Sequence, residues 1–211
     1  MSLMENNASA KFLDLGCDDG VVTAKLSRPV GTKDLYGIDI VDDKFDIAAG
    51  NGVKCIKADI TKGLPFEEGT FDVVLANQVI EHVSNIDTFI TEIYRILKRG
   101  GYAIISTENG SSWINIGAAV LGWQIFSLTN MSSKGAGVGN PLALHRGENS
   151  IALSWTHKTI FNYRGFKEVF EMHGFSVERI LSAGYFPLPS MLARIDPRHG
   201  HFLALKARKK N

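Results

Sequence analysis

The residues of this chain best suited to chemistry are carboxylates set at glycine turns and strand ends. Lys11-Phe-Leu-Asp-Leu-Gly-Cys-Asp-Asp-Gly20 runs from an apolar segment into a turn bounded by Gly16 and Gly20, and Tyr36-Gly-Ile-Asp39 ends a second apolar run in an acid. Glycine lets a backbone turn tightly and come close to a ligand, and an acid after the next strand can accept hydrogen bonds from both hydroxyls of a ribose. Asp14, Asp18 and Asp19 crowd the loop with negative charge. A diphosphate-binding loop has to offer N–H groups and a helix N-terminus to an anion. This loop repels phosphate and welcomes a cation, which points away from NAD and toward S-adenosylmethionine (SAM), a nucleoside with a sulfonium, an ammonium and no phosphate.

Alternating elements must hold these residues. Apolar runs predict strands at Phe12–Leu15, Leu35–Ile40, Val53–Lys57, Phe71–Ala76 and Tyr102–Ser106. A short helix follows the first strand and ends at Arg28-Pro29, and Asp42-Asp43 offer N-caps for a second. Ile86, Phe89, Ile90, Ile93 and Leu97 fall at helical spacing, so a long amphipathic helix packs one face on the sheet. Tyr163–Met172 predicts a last helix closed by Gly174, and Phe175–Leu181 with His201–Ala207 an antiparallel hairpin. Strand–helix alternation implies right-handed crossovers and a mostly parallel sheet covered on both faces. Ligands bind such sheets beyond the carboxyl ends of the strands, where Asp14, Asp39, Asp59 and Asn77 all fall.

Leu13-Asp-Leu-Gly-Cys-Asp-Asp-Gly20 resembles the first motif of the class I SAM-dependent methyltransferases, whose usual form has a third glycine where this chain has Asp18. Lys57-Ala-Asp59-Ile60, Phe71-Asp-Val-Val-Leu-Ala-Asn77 and Leu97-Lys-Arg-Gly-Gly101 resemble later motifs of the same family, in the same order. The resemblance implies a Rossmann-like α/β fold with a seven-stranded, mostly parallel sheet, an antiparallel last strand and helices on both faces. It also implies SAM as cofactor, held by Asp14, the loop residues Gly16, Cys17, Asp18 and Gly20, the ribose-binding Asp39, Asp59 on the adenine amino group, and Asn77 with Gln78 beside the methionine moiety. Ile40 and Ile60 would sandwich the adenine, ordinary core packing being the other reading. Asp18 either orients the ammonium of SAM or points to solvent.

Gln78-Val-Ile-Glu81-His82 resembles the ubiquinone-type O-methyltransferase branch, where Glu-x-x-Glu-His on a helix can hold a divalent metal. With Gln78 in place of the first carboxylate, Glu81 and His82 alone are a poor site for a hard cation, and no metal is expected. His82 reads either as a general base or as a helix-capping histidine. His157, before the last helix, reads as a substrate-facing group or an incidental loop residue.

The 211 residues suit one SAM-binding domain over 1–211, with 45% hydrophobic residues, 21% charged ones and a net charge of +1. Near-neutral charge argues against nucleic acid, and the basic end Lys206–Lys210 reads as solvated. Cys17 and Cys55 read as reduced core thiols at buried strand ends; the longest apolar stretch, Trp113–Leu128, reads as helical but falls short of a membrane span. With no signal-peptide pattern, a cytoplasmic protein is expected. Residues 108–154, which include the glycine-rich Lys134–Gly139, read as an inserted cap over the acceptor, an additional core helix and a disordered loop being the other reading. The first strand starts too early for an N-terminal closing helix, so the cap closes the site, the site stays open, or a second copy covers it in a homodimer. The expected reaction is methyl transfer to a small molecule, O-methylation favoured. The rivals are an NAD(P)-binding oxidoreductase and a SAM-binding regulatory partner without catalysis.

Overall fold

Seven strands form a single sheet in the order β3-β2-β1-β4-β5-β7-β6 in the computed structural model, which describes residues 3–149 and 152–210. β1 (Lys11–Leu15), β2 (Asp34–Asp39), β3 (Val53–Lys57), β4 (Phe71–Asn77) and β5 (Leu97–Glu108) run parallel. β7 (Phe202–Lys209) is inserted antiparallel between β5 and β6 (Phe175–Ala183). The last two strands pair antiparallel as expected, with residues 184–201, which include two 310 turns, between them.

Strand order reverses at β1, which pairs β2 on one side and β4 on the other. Leu15 is opposite both Ile38 and Ala76, so Gly16, Asp39 and Asn77 come side by side one step beyond that row. A crevice opens at this place in doubly wound sheets.

Two apolar layers flank the sheet. One joins Leu13, Leu15, Val74 and Ile105 to Phe89, Ile90, Ile93 and Ile96 of α3 (Ile86–Ile96) and to Phe166 and Phe170 of α5 (Tyr163–Met172). The other joins Phe12, Val73, Leu75 and Ile104 to Val30 and Ala48, on the side of α1 (Val21–Ser27) and α2 (Phe45–Gly50). Asn85 starts α3 by accepting the Thr88 N–H at 3.0 Å, satisfying a donor the first turn cannot pair.

Three local expectations are corrected. Neither Asp42 nor Asp43 caps α2: Lys44 precedes it without a side-chain cap, and the Asp42 carboxylate instead pairs with Lys57 at 3.0 Å. The apolar stretch from Trp113 is helical only through Val120 (α4, Trp113–Val120), because Gly122 turns left-handed at φ 72°. The basic end is an interior strand: Lys206 is buried and paired with Glu5 and Glu178, Arg208 bonds the same two acids, and the buried Lys209 ammonium donates to the Leu97 carbonyl at 2.8 Å.

Residues 109–161 leave the sheet and return to it. Asn109 and Phe161 form a parallel bridge, and Gly110 N–H donates to the Phe161 carbonyl at 2.9 Å, closing the neck of this excursion. Inside it, the buried Asn115 amide donates to the Asn109 carbonyl and to Ser127 Oγ, and Asn140 Nδ2 donates to the Gln124 carbonyl. These amides add to backbone hydrogen bonds across the segment, such as Gln124 N–H to the Gly139 carbonyl and Val138 N–H to the Thr129 carbonyl, both at 3.0 Å.

Ile93 is fully buried between α3 and the sheet. Ile93→Ala is expected to destabilise the protein by about 2–5 kcal/mol, read by urea unfolding, because the cavity cannot fully collapse.

Candidate active site

The β1–α1 loop is held by the end of β2. Gly16 and Cys17 N–H both donate to the Ile38 carbonyl, at 2.7 and 3.1 Å, and Asp18 N–H donates to Asp39 Oδ2 at 3.0 Å. Asp39 Oδ1 accepts from Val41 N–H at 3.1 Å, so the carboxylate fixes its own turn and the loop together. Gly16 is at φ 80°, and a Cβ there would come within 2.8 Å of Val79, so the turn requires glycine. Asp18 also takes a left-handed conformation, at φ 45°. That conformation explains why glycine is the usual residue at this place, and aspartate is among the few others that tolerate it.

The acids of the loop are disposed differently from one another. Asp18, exposed, pairs with Lys44 at 2.8 Å, so it neither stands free nor points idly to solvent. Asp19 accepts the Val21 N–H at 3.0 Å, covering a donor at the start of α1 that a phosphate would need. Asp14 is buried and accepts from the Thr23 hydroxyl at 2.5 Å; burial, with the Asp39 charge adding to it, pushes its carboxyl up to about 7. Cys17 is buried with its sulfur 3.6 Å from that of Cys55, and burial raises both thiols; Cys55, within β3, is only partly buried.

Beyond the strand ends, Ile40 is 51% exposed beside Asp39 and so is no core residue, whereas Ile60 is partly buried against the apolar layer. Asp59 accepts from the N–H and hydroxyl of Thr61, at 3.0 and 2.6 Å. Its carboxyl is lowered chiefly by that hydroxyl. Asn77 Oδ1 accepts from Ser106 Oγ at 2.7 Å. These residues line the same end of the sheet as the loop. Charge, a hydrogen-bonding acid and an exposed apolar side chain suit a cationic nucleoside, and the covered helix start does not suit a diphosphate.

A second group lies just past β4. Gln78 is left-handed, at φ 56°, and only Ile80–His82 form a 310 turn, so Gln78, Glu81 and His82 do not share one face of an α-helix as the resemblance implied. With its amide oriented to satisfy both ends, Gln78 donates to Glu81 Oε1 and accepts from Thr107 N–H, each at 3.2 Å. Glu81 is 1% exposed, its Oε2 has no hydrogen-bond partner, and burial pushes its carboxyl up to about 7. Lys158 N–H donates to the Glu81 carbonyl at 2.8 Å and brings residues 156–158 of the excursion onto this turn. The rings of His82 and His157 meet edge-on, centroids 4.8 Å apart. His82 Nδ1 lies 3.1 Å from the Thr156 carbonyl and His157 Nδ1 2.6 Å from that of Ser127. A carbonyl only accepts, so both Nδ1 atoms carry a proton, which makes Nε2 the lone-pair atom of either ring in its neutral form. Burial lowers the His82 imidazolium, favouring the neutral ring.

The sequence brought Asp14, Gly16, Cys17, Asp18, Gly20, Asp39 and Asn77 to one place, and the structure does the same. It adds Lys44, Thr23, Ser106 and Thr107, none of which belongs to a recognisable motif. Ser106 alone carried a signal, sitting at the carboxyl end of a strand read correctly. The meeting of His82 with His157 had none, since it depends on where the excursion folds back.

Two outcomes follow for the loop. Asp18→Gly should leave the unfolding free energy within about 1 kcal/mol of the parent, the loss of an exposed pair being small, whereas Asp18→Val should cost about 1–2 kcal/mol more through its left-handed backbone. For Asp14, the folded carboxyl at about 7 binds its proton more tightly than the unfolded one near its ordinary 3.8. Its contribution is therefore fully present below pH 3.8 and lost as pH rises through about 7. Asp14→Asn should flatten the stability–pH curve across that window, with a gain at the alkaline end on the order of 4 kcal/mol. Urea unfolding at stepped pH measures both.

Comparisons with known proteins agree with this geometry. A family model described as a methyltransferase domain matches residues 13–105. A Methanocaldococcus jannaschii protein, MJ1123, described as uncharacterized, is 38% identical over 101 residues, 47% of each chain. The mitochondrial ubiquinone biosynthesis O-methyltransferase of Rattus norvegicus is 33% identical over 108 residues, covering 47% of this chain and 31% of that protein. The chain thus spans less than half the length of the curated relatives it matches. Among solved structures, an S-adenosylmethionine dependent methyltransferase from Mesorhizobium loti superposes with a TM-score of 0.63 at 15% identity, over 98% of this chain and 94% of that one. A SAM dependent methyltransferase from Aquifex aeolicus gives 0.58 at 14%, over 98% and 85%. At such identities these structures speak for the fold, while the matched family model and the curated relatives speak for the motifs. Over residues 13–105 the chain is similar to a methyltransferase domain, and its fold is that of the solved SAM-dependent methyltransferases.

Proposed function

We propose that this protein transfers the methyl group of SAM to a hydroxyl of a small molecule. The observation that carries the reading is the juxtaposition, at one end of the sheet, of an acidic glycine loop pinned by Asp39 and of two imidazoles with free Nε2 atoms. Asp39 would receive the ribose hydroxyls, Ile40 and Ile60 the adenine faces, Asp59 its amino group, and Asp14, Gly16, Cys17, Asp18, Gly20, Asn77 and Gln78 the rest of the cofactor. When bound, SAM supplies a methyl group on a sulfonium whose leaving group is a neutral thioether.

The protein's own tasks are then alignment, water exclusion and proton removal. Residues 109–161 act as the cap, since their return passes over Glu81 and His82. A hydroxyl placed among Glu81, His82 and His157 meets neutral nitrogen lone pairs that can take its proton, the task that separates O-methylation from simple alignment. The similarity to ubiquinone biosynthesis O-methyltransferases supports the oxygen acceptor. The covered α1 start disfavours the oxidoreductase reading. Among the described residues no helix is long and apolar enough to cross a membrane, in keeping with an acceptor met at the open end of the sheet.

Titration calorimetry with S-adenosylhomocysteine, with NADH as control, tests the cofactor half. S-adenosylhomocysteine alone should bind, and Asp39→Ala should weaken it by at least about tenfold, since a hydrogen bond to a charged group contributes roughly 1.5–3 kcal/mol. Transfer of labelled methyl from SAM to a panel of hydroxylated acceptors tests the reaction. His82→Gln should lower kcat by about 10²–10⁴ while S-adenosylhomocysteine affinity holds. Binding with no turnover on any acceptor would favour the regulatory reading instead.

A further inference from the structure

We infer that Cys17 and Cys55 form a covalent modification site, at which hydrogen peroxide joins the two thiols in a reversible intramolecular disulfide that weakens binding at the β1–α1 loop. The sulfurs lie 3.6 Å apart although 38 residues separate them in the chain. They are the two cysteines of the sequence, and both are free thiols. Cys17 follows β1 and Cys55 stands in β3, with β2 between those strands. Neighbouring strands are about 4.8 Å apart, so roughly twice that spacing normally divides a residue on β1 from one on β3. Gly37 removes the obstacle. It pairs with Cys55 across β2 and β3, and a Cβ on it would lie 2.5 Å from the Cys17 sulfur. The loop also turns back over β2, its Gly16 and Cys17 N–H groups both held by the Ile38 carbonyl. Cys17 therefore fills the space that a side chain at position 37 would take, and its sulfur meets that of Cys55 there.

The step consumes one peroxide and two thiols. Cys55 is partly buried, whereas Cys17 is 2% exposed, so Cys55 reacts first. Its sulfur attacks one peroxide oxygen, the O–O bond breaks, and a sulfenic acid and one water result. The Cys17 sulfur then attacks the sulfenic sulfur. The S–S bond forms, the S–O bond breaks, and the oxygen leaves as a second water with the thiol proton. The thiol pair loses two electrons and the peroxide gains them. Burial raises both thiols, with the Asp14 and Asp39 charges adding to it, so neither is an activated nucleophile and the first step is slow. Contact makes the second step fast, because the partner thiol is already in place. The same burial shuts out a bulky disulfide, which leaves small hydroperoxides as the oxidant class the site admits.

An S–S bond is about 2.05 Å long, so the sulfurs close by about 1.5 Å. Cys55 belongs to a strand paired along its length with β2, while Cys17 belongs to a turn, and the turn is the side that yields. Its shift toward β3 loads the two bonds that place it, Cys17 N–H to the Ile38 carbonyl at 3.1 Å and Asp18 N–H to Asp39 at 3.0 Å. The loss of cofactor affinity rests on the reading above in which this loop and Asp39 receive SAM. Formation of the disulfide does not.

Reduced full-length protein, freed of reductant, is treated with millimolar hydrogen peroxide, then examined by peptide mapping and by titration calorimetry with S-adenosylhomocysteine. The map should contain a peptide pair joined through Cys17 and Cys55, lighter than the two reduced peptides by two hydrogen atoms. Affinity for S-adenosylhomocysteine should fall by more than about tenfold and return on adding dithiothreitol. Cys55→Ala and Cys55→Ser, which leave every loop residue in place, should bind as the reduced parent does and keep that affinity after peroxide, with urea unfolding to identify the folded variants. Absence of the joined pair, a disulfide between two chains in its place, unchanged affinity in the cross-linked protein, or an equal loss in a folded Cys55 variant overturns the inference. Should the reduced parent not bind S-adenosylhomocysteine, the cofactor reading falls, while the cross-link is still decided by the peptide map.

Discussion

The site depends on the hydrogen bonds that tie the β1–α1 loop to the end of β2. Ile38 offers its carbonyl to two successive loop N–H groups, and Asp39 offers a carboxylate oxygen to a third. Parallel pairing of β1 with β2 puts these partners in line, and Gly37 makes the approach feasible: a Cβ at that position would lie 2.5 Å from the Cys17 sulfur. The same loop begins α1 at Gly20, where a Cβ would press on the α2 backbone at Ala48. Loop, strand end and both flanking helices are thus one packing unit, and the acid proposed to receive a ribose also organises the glycine loop. Substitution at Asp39 consequently acts on binding through two routes, direct contact and loop position.

Much of this was legible because it is local. Apolar runs ending at Leu15, Asp39, Lys57 and Asn77 mark strands whose buried faces leave little choice of register, and β3 and α5 fall where the pattern puts them. What escaped depends on distant partners. Lys206 and Lys209 read as a solvated tail, because nothing nearby in sequence announces Glu5, Glu178 or the Leu97 carbonyl. Asp42 looked like a helix cap until Lys57, across the β2–β3 edge, claimed its carboxylate. In both cases a charge judged by its neighbours in the chain was satisfied by residues the fold brought to it.

The excursion from 109 to 161 shows the same limit more strongly. Its apolar residues are numerous, but Gly122 and the buried amides of Asn115 and Asn140 set its path, and neither feature carries a period. Its consequence is chemical. Only by folding back onto the Glu81 carbonyl does it deliver Thr156 to orient His82 and His157 to face it. The end of the crevice proposed for the cofactor is therefore encoded in short contiguous motifs, and the end proposed for the acceptor in a tertiary contact.

That division has a physical reason. A nucleoside of fixed shape requires a close backbone approach, and close approach needs glycine and left-handed turns at set places, which leave a mark in the sequence. An acceptor needs lone pairs at a point in space, and those can come from any element that reaches it. Gln78 shows how the two demands meet: its left-handed backbone ends β4 beside the loop, while its amide reaches the other way to hold Glu81. Strain of this kind persists only where surrounding contacts determine it, here Ser106 and Thr107 at the end of β5. The end of β5 therefore supports both halves of the site, and a change at Ser106 or Thr107 reaches the acceptor side through Glu81 and the cofactor side through Asn77.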